Sequence, residues 1–251
     1  VAAPMFLVSG PDLVVAACRA GVLGTFPALN QRTTAGFDEW LVSIGDALAP
    51  RDAPFGVNLV VHRSNARLPD DLAAVVARRV PVVITSLGAA SEVVDAVHAY
   101  GGVVFHDVTT ARHARKAADA GADGLVLVAA GAGGHAGTVN PFALVAEVRS
   151  FFDGTVLLAG AISSGSDVLA AQVMGADLAY LGTRFVATSE SLASEAYRAQ
   201  VVAASASDIV YTASVSTVAA NFLRPSLQAA GLDPDAPSGG VERAHLTNRS
   251  A

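Results

Sequence analysis

Short, almost uninterrupted apolar runs rich in β-branched residues alternate along this chain with Ala-rich segments of helical length. The candidate strands are Val1–Met5, Val22–Thr25, Phe55–Val60, Val82–Thr85, Val103–His106, Gly124–Val128, Thr155–Leu158 and Leu178–Leu181. Runs with so little polar alternation suit parallel strands covered on both faces. Between them lie helix candidates at Pro11–Ala20, Phe37–Leu48, Pro69–Arg79, Ser91–Tyr100, Thr110–Ala120, Pro141–Phe152 and Ser166–Met174, with another over Ser189–Ser205. Ser91 with Glu92, Thr110 and Pro141 are suited to helix starts. Gly21, Gly101, Gly121 and Gly175 follow helices, where a left-handed cap favours glycine. The phrase Gly-Ala-Asp between helix and strand occurs at Gly121–Asp123 and again at Gly175–Asp177. Repeated βα units imply a parallel sheet, and about eight of them favour the closed (β/α)8 TIM barrel of the α/β class. An open sheet with extra strands is the alternative.

Residues 1–251 read as a single domain, with 216–251 as a C-terminal helix and tail. An extra helix is expected over Ser216–Ala230, followed by a loop from Gly231. With 52% hydrophobic and 15% charged residues, the chain can bury a large core and is not a disordered segment. Lys+Arg 16 against Asp+Glu 22 gives a net charge of −6, which argues against general nucleic-acid binding. The apolar runs fall far short of the roughly 20 residues of a spanning helix, so no membrane role is expected. No basic n-region precedes an apolar h-region, so no signal peptide is expected. Cys18 is the only cysteine. It falls within a helix, is assigned to the core, and leaves no thiolate cluster or internal disulfide. A cytoplasmic protein is the simplest expectation.

In such a barrel, chemistry sits on the loops after the strands. After the sixth candidate strand comes Ala129-Ala-Gly-Ala-Gly-Gly-His-Ala-Gly-Thr138, which gathers Gly131, Gly133, Gly134, His135 and Gly137. Glycines let backbone approach a flat ligand and expose its N–H groups, with His135 held at the ligand face. After the seventh comes Ala159-Gly-Ala-Ile-Ser-Ser-Gly165, and after the eighth Gly182-Thr-Arg-Phe185. Small-residue turns at these two positions suit a phosphate cradle. The first strand ends in Ala3-Pro4-Met5, against which a ring could lie. Asn58 interrupts the third strand; its amide needs partners, from a ligand or from backbone. Thr85 and Ser86 follow the fourth strand and His106-Asp107 the fifth, all expected at the barrel mouth. Spacings of His106, Asp107 and His113 do not suit zinc, no Gly-x-Ser-x-Gly elbow occurs, and no GxGxxG follows the first strand.

Taken in order, Ala3-Pro-Met5, Gly56-Val-Asn-Leu59, Ala132-Gly-Gly-His135, Ala159-Gly-Ala-Ile162, Gly175-Ala-Asp177 and Leu181-Gly-Thr-Arg-Phe185 resemble the nitronate monooxygenase (2-nitropropane dioxygenase) family. These are FMN-dependent TIM barrels related to FMN-containing enoyl-ACP reductases. Asn221-Phe-Leu-Arg-Pro-Ser226 and Ala230–Asp235 are similar to one bacterial branch of it. The resemblance implies that Ala3, Pro4 and Met5 lie near the isoalloxazine ring and that Asn58 contacts the flavin. Gly133 and Gly134 would pack beside the cofactor, while Ala159, Gly160, Ala161, Gly182 and Thr183 would hold its phosphate. Thr85 and His106 complete the implied set, His106 standing where the family often has lysine. His135 matches the active-site histidine.

Ala161 replaces the second glycine of the usual phosphate loop, so its backbone is expected outside the left-handed region. Residues Ser238–Ala251 do not match the helix that usually helps to cover the site. The implied reaction is oxidation of alkyl nitronates, and of nitroalkanes, by O2 to carbonyl compounds and nitrite. A neutral imidazole could take the α-proton of a nitroalkane, and a protonated one could bind the nitronate. Met5, Phe6 and Phe26 are expected to form an apolar pocket for the alkyl chain. The alternative is an NAD(P)H-dependent FMN reductase acting on an enoyl thioester or quinone. A barrel for another phosphate ligand, such as a sugar phosphate isomerase, is the third reading. A homodimer is the candidate assembly, and no metal is expected.

Overall fold

Seven parallel strands form one curled sheet in the computed structural model, which describes residues 1–88, 91–215 and 219–235. They are β1 (Gly24–Pro27), β2 (Phe55–Val60), β3 (Val82–Ser86), β4 (Val103–Val108), β5 (Gly124–Val128), β7 (Thr155–Ala159) and β8 (Leu178–Tyr180), paired in that order. The segment around Ala2 joins the two edges, bridging in parallel to Gly24 and to Leu181. Its backbone bonds run from Ala2 N to Leu23 O (2.9 Å), from Ala3 N to Leu181 O (2.8 Å) and from Leu181 N to Val1 O (3.0 Å). The predicted first strand is thus present as a short stitch that closes the barrel.

The helices follow their strands on the outside: α1 (Pro11–Arg19), α2 (Thr34–Ala47), α3 (Leu68–Ala77), α4 (Ser91–His98), α5 (Ala111–Asp119), α6 (Pro141–Arg149) and α7 (Gly165–Val173). Thr110 and Ser164 cap α5 and α7, and Gly21, Gly101, Gly121 and Gly175 all take the positive φ expected of them. The repeated Gly-Ala-Asp has a structural use. Asp123 Oδ2 accepts from Val104 N (2.7 Å), and Asp177 Oδ2 from Val156 N (2.8 Å), so each aspartate secures the start of the adjoining strand. His98 and Arg149 pair with those same carboxylates from the preceding helices.

Two core clusters lie between sheet and helices, and a third fills the barrel interior. Val57, Val83 and Val104 belong to the first outer cluster, and Leu125, Leu127 and Leu158 to the second. Val82, Ile84, Phe105, Val126, Leu157, Ala159 and Tyr180 form the interior one. Each fully buried Leu or Ile removes enough apolar surface from water to contribute about 1.5–3 kcal/mol.

The end of the chain departs from expectation. Residues 220–223 form a strand, β10 (Ala220–Leu223), and only the six residues of α10 (Arg224–Ala229) are helical. Pro225 can occupy only a first turn, which sets that helix start. β10 pairs antiparallel with β9 (Ile209–Thr212) and with β6 (Gly134–His135), making a small second sheet. The expected helix over Ser189–Ser205 is likewise confined to α9 (Glu195–Ala203), where Ser194 caps the first turn. A one-turn helix, α8 (Thr183–Val186), precedes it. Residues 216–218, and 236–251 of the expected tail, lie outside the described residues. No described helix is long and apolar enough to cross a membrane.

Candidate active site

The loops that follow β5, β7 and β8 meet at the mouth of the barrel. Ala161 N donates to Gly131 O at 3.0 Å, joining the second loop to the first. A Cβ on Gly133 would stand 3.3 Å from Thr183 Oγ1, and one on Gly182 would meet Met5 Sδ at 3.6 Å and Ala3 Cβ at 3.9 Å. Gly133 therefore lies beside Thr183, Gly182 beside Met5 and Ala3, and Ala161 beside Gly131. Gly160 is fixed sterically: its φ is 145°, and a Cβ would lie 2.8 Å from Ala130 O.

Ala161 corrects its own expectation. Its φ is 52°, inside the left-handed region, despite a Cβ. That conformation costs an L-residue about 1–2 kcal/mol, and the cross-loop bond to Gly131 holds it there. Ala161→Gly is expected to raise stability by about 0.5–1 kcal/mol, the strain relief minus the entropy glycine adds to the unfolded chain. Urea unfolding of the two proteins measures it. Leu7 and Leu87, exposed on the loops after the first segment and β3, share this conformation at φ 60° and 62°.

The backbone amides at these strand ends are unevenly engaged. Asp167 Oδ2 accepts from Ser163 N (3.0 Å) and Ser164 N (2.8 Å), closing the start of α7 with the chain's own carboxylate. The Ala161 amide is engaged by Gly131. No side chain caps the start of α8 behind Gly182. This leaves the eighth-strand turn, Gly182 and Thr183, with the less engaged amides.

Ala3–Met5 lead into a turn at Phe6–Val8, and polar residues unnoticed in the sequence hold this segment in place. Met5 N donates to Ser9 Oγ (3.0 Å), while Asn30 Nδ2 donates to Met5 O (3.1 Å) and Ser9 O (2.8 Å). Pro4 lies within it, and Phe6 beyond it is 64% exposed. Phe26 is not at the mouth. Strand register turns it outward with Val57, and its buried ring packs 5.9 Å from Phe37 and 5.7 Å from Trp40. The expected Met5–Phe6–Phe26 pocket does not exist.

Thr85 and His106 are corrected in the same way. His106 lies beside Leu125 in the ladder and faces α5, where His113 and Lys116 add to burial in pushing its pKa down to about 4. Thr85 Oγ1 bonds Phe105 O (3.2 Å) and His106 Nδ1 (2.7 Å), so the pair is satisfied internally on the helix-facing side. The adjacent Asp107 faces inward beside Val126. Its Oδ1 is buried without a partner among the described residues, and burial raises its pKa to about 7.

A carboxyl whose folded value exceeds its unfolded value favours the protonated state. Stability is therefore lost as pH rises through the window between those values. For the ligand-free protein the loss is expected to reach about 2 kcal/mol between pH 5 and pH 7, and Asp107→Asn should abolish it in denaturant titrations at the two pH values. Asn58 also faces inward; its Nδ2 donates to Ile84 O (3.2 Å) and Ser86 Oγ (3.1 Å), leaving Oδ1 as its free acceptor.

His135 sits in β6, with its ring exposed. Ala220 pairs with it across the small sheet, Asn221 Nδ2 donates to Ala132 O (2.6 Å), and Tyr211 OH donates to Ala136 O (3.3 Å). The glycine-rich loop is thus strapped from behind by the end of the chain. Ala132 and Ala136 of this loop pack onto the interior cluster, which sets the loop over the mouth. No described group of three or more His, Cys, Asp or Glu side chains could hold a metal ion.

A family model described as nitronate monooxygenase matches residues 66–231, spanning these three loops. The chain belongs to the nitronate monooxygenase family. Its curled parallel sheet is the barrel fold of its relatives. A nitronate monooxygenase from Paraburkholderia phytofirmans is 29% identical, over 94% of this chain and 76% of that protein. The Mycobacterium tuberculosis (3aS,4S,5R,7aS)-5-hydroxy-7a-methyl-1-oxo-octahydro-1H-indene-4-carboxyl-CoA dehydrogenase is 31% identical, over 88% of this chain and 61% of that protein. The chain thus spans about three fifths of that relative's length. Among solved structures, FabK from Thermotoga maritima superposes with a TM-score of 0.80 at 29% identity, covering 89% of this chain and 70% of that one. The nitroalkane oxidase from Streptomyces ansochromogenes gives 0.79 at 26%, covering 88% and 75%.

Proposed function

We propose that this nitronate monooxygenase family member binds FMN across the barrel mouth and uses it to oxidise alkyl nitronates and nitroalkanes with O2. The observation that carries this reading is the close approach of Gly133 to Thr183 and of Gly182 to Ala3 and Met5. The residues suit the group: small side chains leave room for a flat ring, open amides stand at Gly182 and Thr183, and Asn58 offers one free acceptor at the interior. When bound, the flavin supplies the electron acceptance that carbonyl and nitrite formation requires.

The chain's own residues do the rest. Gly182 and Thr183 offer backbone N–H groups to the phosphate, with the Gly160–Ala161 turn as the opposite wall. The Ala3–Met5 segment, braced by Ser9 and Asn30, supports the ring. His135 faces substrate: as a neutral imidazole it removes the α-proton of a nitroalkane, and as a cation it holds the nitronate oxygens. Visible absorbance of the purified protein with added FMN, followed by aerobic assay with nitronates, tests the reading. A colourless protein that takes up no FMN overturns it.

The FabK likeness supports a second reading, in which NAD(P)H delivers hydride to the flavin and an enoyl thioester accepts it. Anaerobic stopped-flow mixing separates the two. Fast bleaching by NADH or NADPH favours the reductase, and its absence favours the oxidase. Assignment to the cytoplasm and assembly as a homodimer remain parts of the proposal, tested by fractionation and by light scattering.

A further inference from the structure

We propose that the Asp107 carboxyl is a ligand-facing residue at the floor of the barrel mouth, donating a hydrogen bond to an acceptor on the flavin. This rests on the FMN reading above and adds one residue to it. The argument begins with the interior positions of the strands. Thr25, Asn58, Ser86, Asp107 and Tyr180 are the polar side chains that alternation turns inward from β1, β2, β3, β4 and β8. Thr25 Oγ1 donates to Ala2 O at 2.5 Å, and Asn58 and Ser86 bond each other. Of these five, Asp107 alone has a buried oxygen with no partner among the described residues.

Leaving a buried polar atom unmatched costs about 1–3 kcal/mol, and native interiors seldom retain one without a water or ligand to satisfy it. Asp107 is the last inward residue of β4, next to the loop that begins at Thr109 and supports Gly137. The partner it lacks can therefore come from the mouth. Burial raises its pKa to about 7, so below that pH the carboxyl is mostly protonated and acts as a donor rather than a second negative charge. That matters for an anionic cofactor in a chain of net charge −6.

The titratable neighbours do not alter the sign. Tyr180 of β8 is the phenol coupled to Asp107, and burial holds it neutral. His106 points to the opposite face of the sheet. The Val1 amine is bonded to Ala179 O at 2.7 Å. His135 lies in the loop over the interior and is exposed.

The test is FMN affinity of the whole chain, by quenching of flavin fluorescence, for wild type, Asp107→Asn and Asp107→Leu. At pH 6 the Asn variant, whose amide still donates, is expected within about threefold of wild type, and the Leu variant about tenfold weaker, the loss of one net hydrogen bond. From pH 6 to 9 wild-type affinity should fall more steeply than that of the Asn variant, in which only the ligand and the other groups titrate. Equal affinity of the Leu variant, with parallel pH profiles for all three, overturns the assignment and leaves the FMN reading standing. No FMN binding by wild type overturns both. Should the Leu variant fail to fold by circular dichroism, the difference in pH profile between wild type and Asp107→Asn decides alone.

Discussion

Replacing His135 by alanine is expected to lower turnover of neutral nitroalkanes by about 10²–10³-fold, the usual contribution of a positioned base. The FMN affinity and melting temperature should hardly move. The ring is exposed, and β6 is held by backbone pairing to Ala220 and by Asn221 at the Ala132 carbonyl, none of which needs the imidazole. Preformed nitronates have already lost the α-proton, so their turnover should fall much less. The ratio of the two losses, measured from kcat/KM on a nitroalkane and its nitronate, isolates proton abstraction from anion binding. Equal activity on the nitroalkane would take His135 out of the mechanism.

The second large effect concerns stability. Phe26→Ala should lower the unfolding free energy by about 3–5 kcal/mol, as expected for an aromatic ring removed from a closed core. The Phe26 ring is 0% exposed and wedged between Phe37 and Trp40. Preference for alkyl-chain length among nitronates should stay as it was. A changed chain-length preference with little loss of stability would place the ring at the mouth instead.

That residue also marks what the sequence could not tell. Strand existence and order were legible because each apolar run is continuous. The same continuity erased the two-residue period that would have said which side chains face the interior. Phe26, Thr85 and His106 were therefore expected at the mouth, although they face the helices. Asp107, which faces inward, was expected at the mouth beside His106 but was given no role. Loop order was legible despite this, since glycine-rich strand ends stand out in any register, and the structure brings Gly133 beside Thr183 and Gly182 beside Met5. Ser9 and Asn30, which hold the Met5 backbone, gave no signal beyond being small and polar.

The C-terminal segment failed for a different reason. Ala220–Leu223 reads locally as part of an apolar helix. Its partner is His135 with Gly134, far earlier in the chain. A pairing of that span leaves no local trace, and a two-residue strand has no pattern of its own. Only the order of motifs that included Asn221 hinted that this stretch belonged with the site.

The ring of strands is completed by its thinnest stave, since Ala2 alone is stitched to both Gly24 and Leu181. A few residues on, the same run of chain delivers Met5 to Gly182. Anything that loosens this stave acts twice: it springs the hoop, and it draws Met5 away from Gly182. Mechanical integrity and the placing of Met5 are geared together at that seam.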